Sequence, residues 1–316
     1  MIRVSLAIAL LPLFAGCVAP SDLPRGDQSV NIRQKGDGIL VSELGKPVLV
    51  YQLEPKSLGG EYERSNYIHP LYGLDGEELT EDFPADHPHH RGIFWAWHQV
   101  LVGDLRAGDQ WLARNFAWRL QGAEVLPDGE GLRVTHRWHS PDFRDGAEAI
   151  LEEVSNVVVH RSSGDFRFID FDILLSALHE GVRLGGSEDS KGYGGFSVRV
   201  RMIEGLQMTG PEGPVTPSPG QMRLGDWIDF SGGFGAPGQV SGVAVLVHPT
   251  AEGYPQNWIL RAPTTPSMQN PVWPGEKAVE LSPEEPVRLR YRLVVHRGGA
   301  VATDLAALSA TYSALP

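Results

Sequence analysis

The chain has 316 residues, with 27 Lys+Arg against 39 Asp+Glu and a formal net charge of −12. That acidic balance, without clustered basic residues, excludes a phosphate-tracking nucleic-acid binder. Hydrophobic residues make up 41%, enough for a substantial core, while 37 Gly, 24 Pro and 8 Trp are the mix of many short strands joined by turns.

Residues 1–16 read as a signal peptide: Arg3 supplies a positive start, Val4 to Phe14 an apolar run, and Ala15-Gly16 small residues before cleavage. Leu13 to Cys17 resembles a bacterial lipobox, and Cys17 is the lone cysteine, so lipidation at Cys17 is expected. The alternative is an ordinary signal peptide with Cys17 discarded. Residues 17–28 then form the lipidated start and a Pro-containing tether. Membrane contact is expected through the lipid anchor only, since no apolar run after Cys17 approaches the ~20 residues of a spanning helix. The expected location is the periplasmic face of the outer membrane or the cell surface. A single cysteine leaves the exported part to stand without disulfides.

From residue 29 to 316 one all-β domain is expected, a large antiparallel β-sandwich. Period-two alternation marks strands at Gly38 to Leu44, Pro47 to Leu53, Gly131 to Trp138, Phe166 to Leu175, Phe196 to Met202 and Val287 to Val295. Asp128-Gly129, Asp145-Gly146 and Ser163-Gly164 predict hairpin turns. Gly59 to Ala85 and Gly205 to Arg223 are the least regular segments, and long loops are usually functional. One short C-terminal helix is predicted over Asp304 to Ser313, capped by Thr303.

Histidines concentrate at one place. His87, His89, His90 and His98 fall within twelve residues, beside Asp86, Arg91, Trp95 and Trp97. His69, His87 and His248 each precede proline, which favours extended backbone where a sheet meets its loops. Extended backbone would send His87 and His89 to one side and His90 to the other. Such a set admits metal binding, metal-free acid–base or ligand-binding roles, or structural bracing. No motif demands a cofactor, although paired imidazoles leave a divalent metal open. Arg91 suits substrate oxygens or an ion pair with Glu81 or Asp82. Of Trp95 and Trp97, one is expected in the core, and Trp97 is the candidate to stack on a sugar.

Further along, Glu188, Asp189 and Lys191 lie among glycines in GGSEDSKGYGG, either a backbone close to a ligand or a mobile hairpin tip. His248 ends an apolar strand, and Asp229, Arg261 and Asn270 stand as single polar residues among apolar neighbours. Each of these three serves a ligand or braces a loop.

In order, YIHPLY, LTEDFPADHPHHRGIFWAWHQV, SKGYGGFSVRV, WIDFSG, VAVLVHP, NWILR and LRYRLVVHRG resemble the PmoA-like family of exported bacterial proteins, over roughly residues 39–298. That family's name denotes a methane monooxygenase subunit, a polytopic membrane protein, an activity not expected of this chain. The resemblance implies a supersandwich similar to galactose-mutarotase-like proteins, found among sugar-catabolic proteins. Tyr193 departs from the Lys-Glu-Gly-Gly form of relatives, which weakens a general-base role for this loop.

Together these readings predict an envelope lipoprotein acting on a carbohydrate or oxidised sugar by histidine/carboxylate acid–base chemistry, of epimerase, lyase or hydrolase type. His87 or His89 would act opposite a carboxylate such as Asp86, Glu188 or Asp189. His69, His90, Arg91 and His98 would hold substrate, with Trp97, Lys191, His248, Arg261 and Asn270. The alternatives are a non-catalytic glycan-binding lipoprotein and a metal-dependent enzyme using the histidines. The expectation rests on residues 87, 89 and 248 converging.

Overall fold

The structure, a computed structural model, describes residues 30–127, 129–261 and 268–316. The expected signal peptide 1–16, Cys17, the tether to residue 28 and Asp128 lie outside the described residues.

The alternating sequences form strands as predicted. Leu151–Val159 and Phe166–Ala177 bury every second residue, because one face of each meets the core and the other meets solvent. Two large sheets result, with every ladder between neighbouring strands antiparallel. The first has eight strands in the order Val30–Lys35, Gly38–Glu43, Lys46–Gln52, Tyr67–Leu71, Ile93–Ala96, Gly195–Arg199, Met268–Val272 and Asn257–Leu260. The second has nine: Ala117–Val125, Gly131–His139, Leu151–Val159, Phe166–Ala177, Val287–Arg297, Ser241–Val247, Trp227–Gly232, Gln207–Gly210 and Gly213–Pro214. A four-stranded sheet that includes Gln99–Val102 and Val182–Gly185, and a hairpin of Lys56–Leu58 with Glu61–Arg64, complete the set.

The two large sheets face each other across one apolar layer. Phe196 of the eight-stranded sheet stacks on Tyr291 of the nine-stranded sheet at 4.4 Å and meets Phe171 edge-on at 5.0 Å. A carboxyl sits inside this layer. Glu153 is fully buried and accepts from Trp95 Nε1 (2.6 Å), Trp138 Nε1 (2.9 Å), Ser155 Oγ (2.7 Å) and Asn66 Nδ2 (2.8 Å). Burial pushes its pKa up, against those four donors. His136, its cross-strand neighbour, is also fully buried, with neither ring nitrogen hydrogen-bonded.

The outer faces differ. On the nine-stranded sheet Leu246, Val294 and Trp227 are covered by Ala300, Leu305 and Tyr312 of the C-terminal helices. These are two, Ala300–Thr303 and Leu305–Ser313, rather than the one predicted. Asp304, left-handed at φ 49°, breaks the run and accepts from Ala307 N, so it is the cap in place of Thr303. The outer face of the eight-stranded sheet carries Tyr67, Phe94, Ala96, Ile259 and Met268, and loops roof it. Gly59 to Ala85 is less of a loop than expected, holding two strands. Asp145-Gly146 falls in a 3-10 turn instead of a hairpin tip.

Two outcomes follow. Glu153→Ala leaves four buried donors unpaired and should cost at least about 3 kcal/mol in urea unfolding. Burial holds His136 near pKa 4 in the folded protein, against 6.5 unfolded. The unfolded chain therefore binds the extra proton first, and stability present above pH 6.5 is lost as pH falls toward 4, by up to about 3 kcal/mol. Unfolding midpoints of His136→Gln should show a correspondingly smaller drop between pH 7 and pH 4.5.

Candidate functional site

The histidine loop is held by two buried guanidiniums. Arg199, at the end of its strand and with no exposed side-chain surface, pairs with Glu81 at 3.0 Å and Asp86 at 2.9 Å. Arg91, equally buried, donates to the carbonyls of Pro88 (2.8 Å), His90 (2.9 Å) and Tyr62, and pairs with Asp82 at 3.4 Å. It also lies over the Phe83 ring at 3.7 Å. Arg91 is thus the ion-paired brace, not a substrate ligand, and every guanidinium nitrogen faces the protein.

Between these anchors the backbone turns twice, with His87 N bonded to Pro84 O and His90 N to His87 O. The stretch is therefore not extended, and His90 does not point away from its neighbours as expected. All three rings gather instead: His87 and His90 stack at 4.9 Å, His89 and His90 meet at 4.6 Å, and His87 and His89 at 5.5 Å. Asp86 lies 3.3 Å from His87 Nδ1 and stays below the usual carboxylate range: the Arg199 pairing outweighs partial burial, the largest single effect. His89 is lowered to about 3, first by burial and then by His87, Arg64, His98 and Arg91. His90 is pushed well down, first by burial and then by His89, Arg199, His87 and Arg64. These two imidazoles are neutral at ordinary pH.

Beside them lies a second unit. His98, just after Ile93–Ala96, places Nδ1 2.9 Å from Asp109 Oδ2. Asp109 Oδ1 accepts from Leu112 N at 2.9 Å, which fixes the carboxylate at the foot of the 109–114 loop. The Asp109 carboxylate accepts a hydrogen bond from Nδ1–H, the tautomer that leaves the lone pair on Nε2. Nε2 is buried and without a hydrogen-bond partner. His98 stacks on Trp111 at 5.6 Å and meets Tyr193 edge-on at 5.1 Å. Burial, and secondarily Asp189, raise the Tyr193 hydroxyl pKa, so it stays protonated. Asp109, Trp111 and Arg64 were not singled out in the sequence. The weak signal for Asp109 was a polar-aromatic GDQW turn right after a short hairpin.

Other expected residues sit elsewhere or are fully engaged. His248 lies on the far side of the sandwich, under the C-terminal helix: it packs on Tyr312 at 4.9 Å and contacts Thr250 Oγ1 and the Leu315 carbonyl. Strand alternation puts it on the outer face of the other sheet, so residues 87 and 89 converge without 248. Trp97 is wholly buried, donates to Trp273 O at 2.9 Å and packs on Trp138, so it joins Trp95 in the core and has no face for a sugar. Asn270 is buried and holds the backbone of Gly194 and Phe196. His69 contacts Thr80 Oγ1 at 3.1 Å, and burial lowers it to about 4.

The glycine-rich segment closes on itself. Lys191 pairs with Asp189 at 3.1 Å, and Glu188 pairs with Arg106 at 2.6 Å on the surface. A side chain at Gly192 would strike Glu276 N, and one at Gly186 would strike Gly192 O. Glycine is required there by the protein's own backbone and not by a ligand. Arg261 follows Ile259 at the alternation that puts both on the outer face, and its field reaches Tyr193.

Among the described residues no group of three or more His, Cys, Asp or Glu has metal-binding geometry. Two surface hollows of about 540 and 520 Å³ lie away from the 87–98 histidines, around Arg119, His139 and His179 and around Asp37 and Glu54. Among the described residues no helix is long and apolar enough to cross a membrane.

The chain belongs to a family of unknown function, DUF6807, whose model matches residues 39–310. No curated protein matches it. Among solved structures it is similar to the YeaD protein of Salmonella typhimurium, proposed to be a mutarotase, at 14% identity and TM-score 0.39, covering 87% of this chain and 97% of that one. It is also similar to a variant of the GH36 α-galactosidase AgaA of Geobacillus stearothermophilus, solved with 1-deoxygalactonojirimycin, at 12% identity and TM-score 0.36. That match covers 84% of this chain and 40% of the galactosidase. AgaB of the same organism gives 10% identity and TM-score 0.33, with 84% and 39% covered. None of these matches carries the PmoA-like name that the motifs suggested.

His89 should show no protonation in an NMR titration from pH 7 to pH 4.5, given its value near 3. A midpoint near 6.5 would remove the burial and the cationic surroundings assigned to it.

Proposed function

We propose that this protein is an envelope lipoprotein that binds a sugar or sugar derivative on the loop-roofed face of the eight-stranded sheet and moves a proton on it. The supporting observation is the Asp109–His98 pair. One imidazole nitrogen is fixed by a carboxylate, and the other is bare and buried, the arrangement that orients a general base. Tyr193, whose ring lies edge-on to the same imidazole, keeps its hydroxyl protonated and offers a hydrogen-bond donor on the same face. His89, neutral and without a hydrogen bond among the described residues, is a second acceptor nearby.

The roles differ from those expected in the sequence. Asp86 and His87 form a partly exposed pair whose carboxylate is engaged by Arg199, and Glu188 is engaged by Arg106. The reaction class supported is proton transfer, as in ring opening, epimerisation or elimination. Two uncommitted carboxylates, which hydrolysis requires, are not among the groups around His98. A sugar suits the remaining surface, where imidazoles and tyrosine hydroxyls lie beside aromatic rings.

Time-resolved NMR of the protein with a panel of reducing sugars, sugar acids and oligosaccharides tests this. His98→Gln and Asp109→Asn should each slow conversion by roughly 10²–10⁴-fold, with the circular dichroism spectrum unchanged. Conversion at the wild-type rate in both variants removes His98 as the base. A sugar that binds and returns unaltered makes the protein a binder.

A further inference from the structure

The C-terminal helices cover the outer face of the nine-stranded sheet over Trp227, Leu246 and Val294. The hollow of about 540 Å³ lies at the other end of that sheet. There the ladder between Gly131–His139 and Leu151–Val159 closes at Trp138 with Leu151, and the chain leaves in the 140–150 loop. Arg119 and Arg137, opposite each other on neighbouring strands, line the hollow with His139, Glu148, Leu178 and His179. Its volume falls in the range of small-molecule sites, and none of these residues belongs to the site around His98.

Two imidazoles in the hollow each spend one nitrogen on the backbone and keep the other. His139, only 7% exposed, donates Nδ1–H to the Gly146 carbonyl at 3.1 Å, since a carbonyl can only accept. Its Nε2 has no partner among the described residues. Burial, with Arg119 and Arg137 beside it, lowers its pKa against the Gly146 bond, so the ring is neutral and Nε2 carries a lone pair. His179 donates Nε2–H to the Ala149 carbonyl at 2.9 Å and packs on Phe143 at 5.0 Å, which leaves Nδ1. Donors stand beside these acceptors. The Arg119 guanidinium has no hydrogen-bond or ion-pair partner among the described residues, and Arg137 spends only Nε, on Glu152 at 3.0 Å. Leu178, 40% exposed, adds an apolar patch. An anion would meet the guanidiniums but also the imidazole lone pairs, and a cation would meet the reverse conflict. A hydroxyl both donates and accepts, so it satisfies both kinds. We propose that this hollow binds a neutral oligosaccharide. Its hydroxyls accept from Arg119 and Arg137 and donate to His139 Nε2 and His179 Nδ1, while a C–H face lies on Leu178. Set on the other sheet from His98, the hollow adds affinity for a glycan without entering the proton transfer.

Imidazole NMR of the protein titrated with cello-, xylo-, manno- and galacto-oligosaccharides tests this. At least one of them should shift the His139 and His179 ring signals saturably, in the wild type and in His98→Gln alike. Arg119→Gln should weaken that binding roughly tenfold, the low end for a charged hydrogen bond. Leu178→Arg, which fills the hollow, should abolish it, with the circular dichroism spectrum unchanged in both variants. Signals of His139 and His179 that stay unmoved across the panel overturn the site, as does undiminished binding in both variants. Equal shifts from inorganic phosphate or oligogalacturonate overturn the neutral ligand, and shifts that vanish in His98→Gln assign the binding to the other sheet. A protein that shows these shifts but converts no sugar rejects the proposed function and keeps this site.

Discussion

Glu153 is a carboxyl without a cation, set between two sheets and held by four donors from separate segments. Its position dictates much of what surrounds it. Trp95 must point inward to reach it, so Phe94 and Ala96 on the same strand must point outward. Asn66 must turn inward as well, and it accepts from Tyr51 Oη at 2.5 Å. That fixes the corner from which Arg64 and Tyr67 run to the opposite face. The apolar floor under the histidines is thus the reverse side of a polar knot in the core.

On that floor, rigidity and reactivity fall to different residues. Arg91 and Arg199 spend their hydrogen-bonding capacity on carbonyls and carboxylates of the 81–91 loop. The loop therefore needs no regular secondary structure to hold three imidazoles within 5.5 Å of one another. The nitrogens left bare, on His89 and His98, lie beside aromatic rings that limit water. For His89, burial sets that environment more than any single charge does.

The sheets were legible because alternation is a local signal. GLRVTHRW and FRFIDFDILL each state which residues face the core, and the structure pairs them as antiparallel neighbours of a third strand. The density of histidines before Arg91 was also legible, but not which of them gather: residues 87 and 89 meet with 90, and 248 does not join them. What could not be read was which polar atoms remain free. Arg91, Asn270 and Trp97 look like ligand-binding residues by type, yet their donors end on backbone carbonyls that only the folded chain brings near. Asp109 is the reverse case. Nothing in GDQW says that its carboxylate reaches back across a hairpin to His98. His248 misled because a His-Pro at a strand end marks a rim but not which of two sheets owns it.

The two outer faces are closed by different means. One is sealed by a pair of helices whose apolar side chains interlock with the sheet and whose last carbonyls anchor His248. The other is roofed by short loops hung on arginines. A helical seal resists editing, since each change opens a void against the sheet beneath. Loops tolerate insertion and exchange with little effect on the scaffold. The loops around residues 62, 109 and 193 can therefore be rewritten without disturbing the sheets, whereas each substitution under the helices must be matched by one in the sheet they cover.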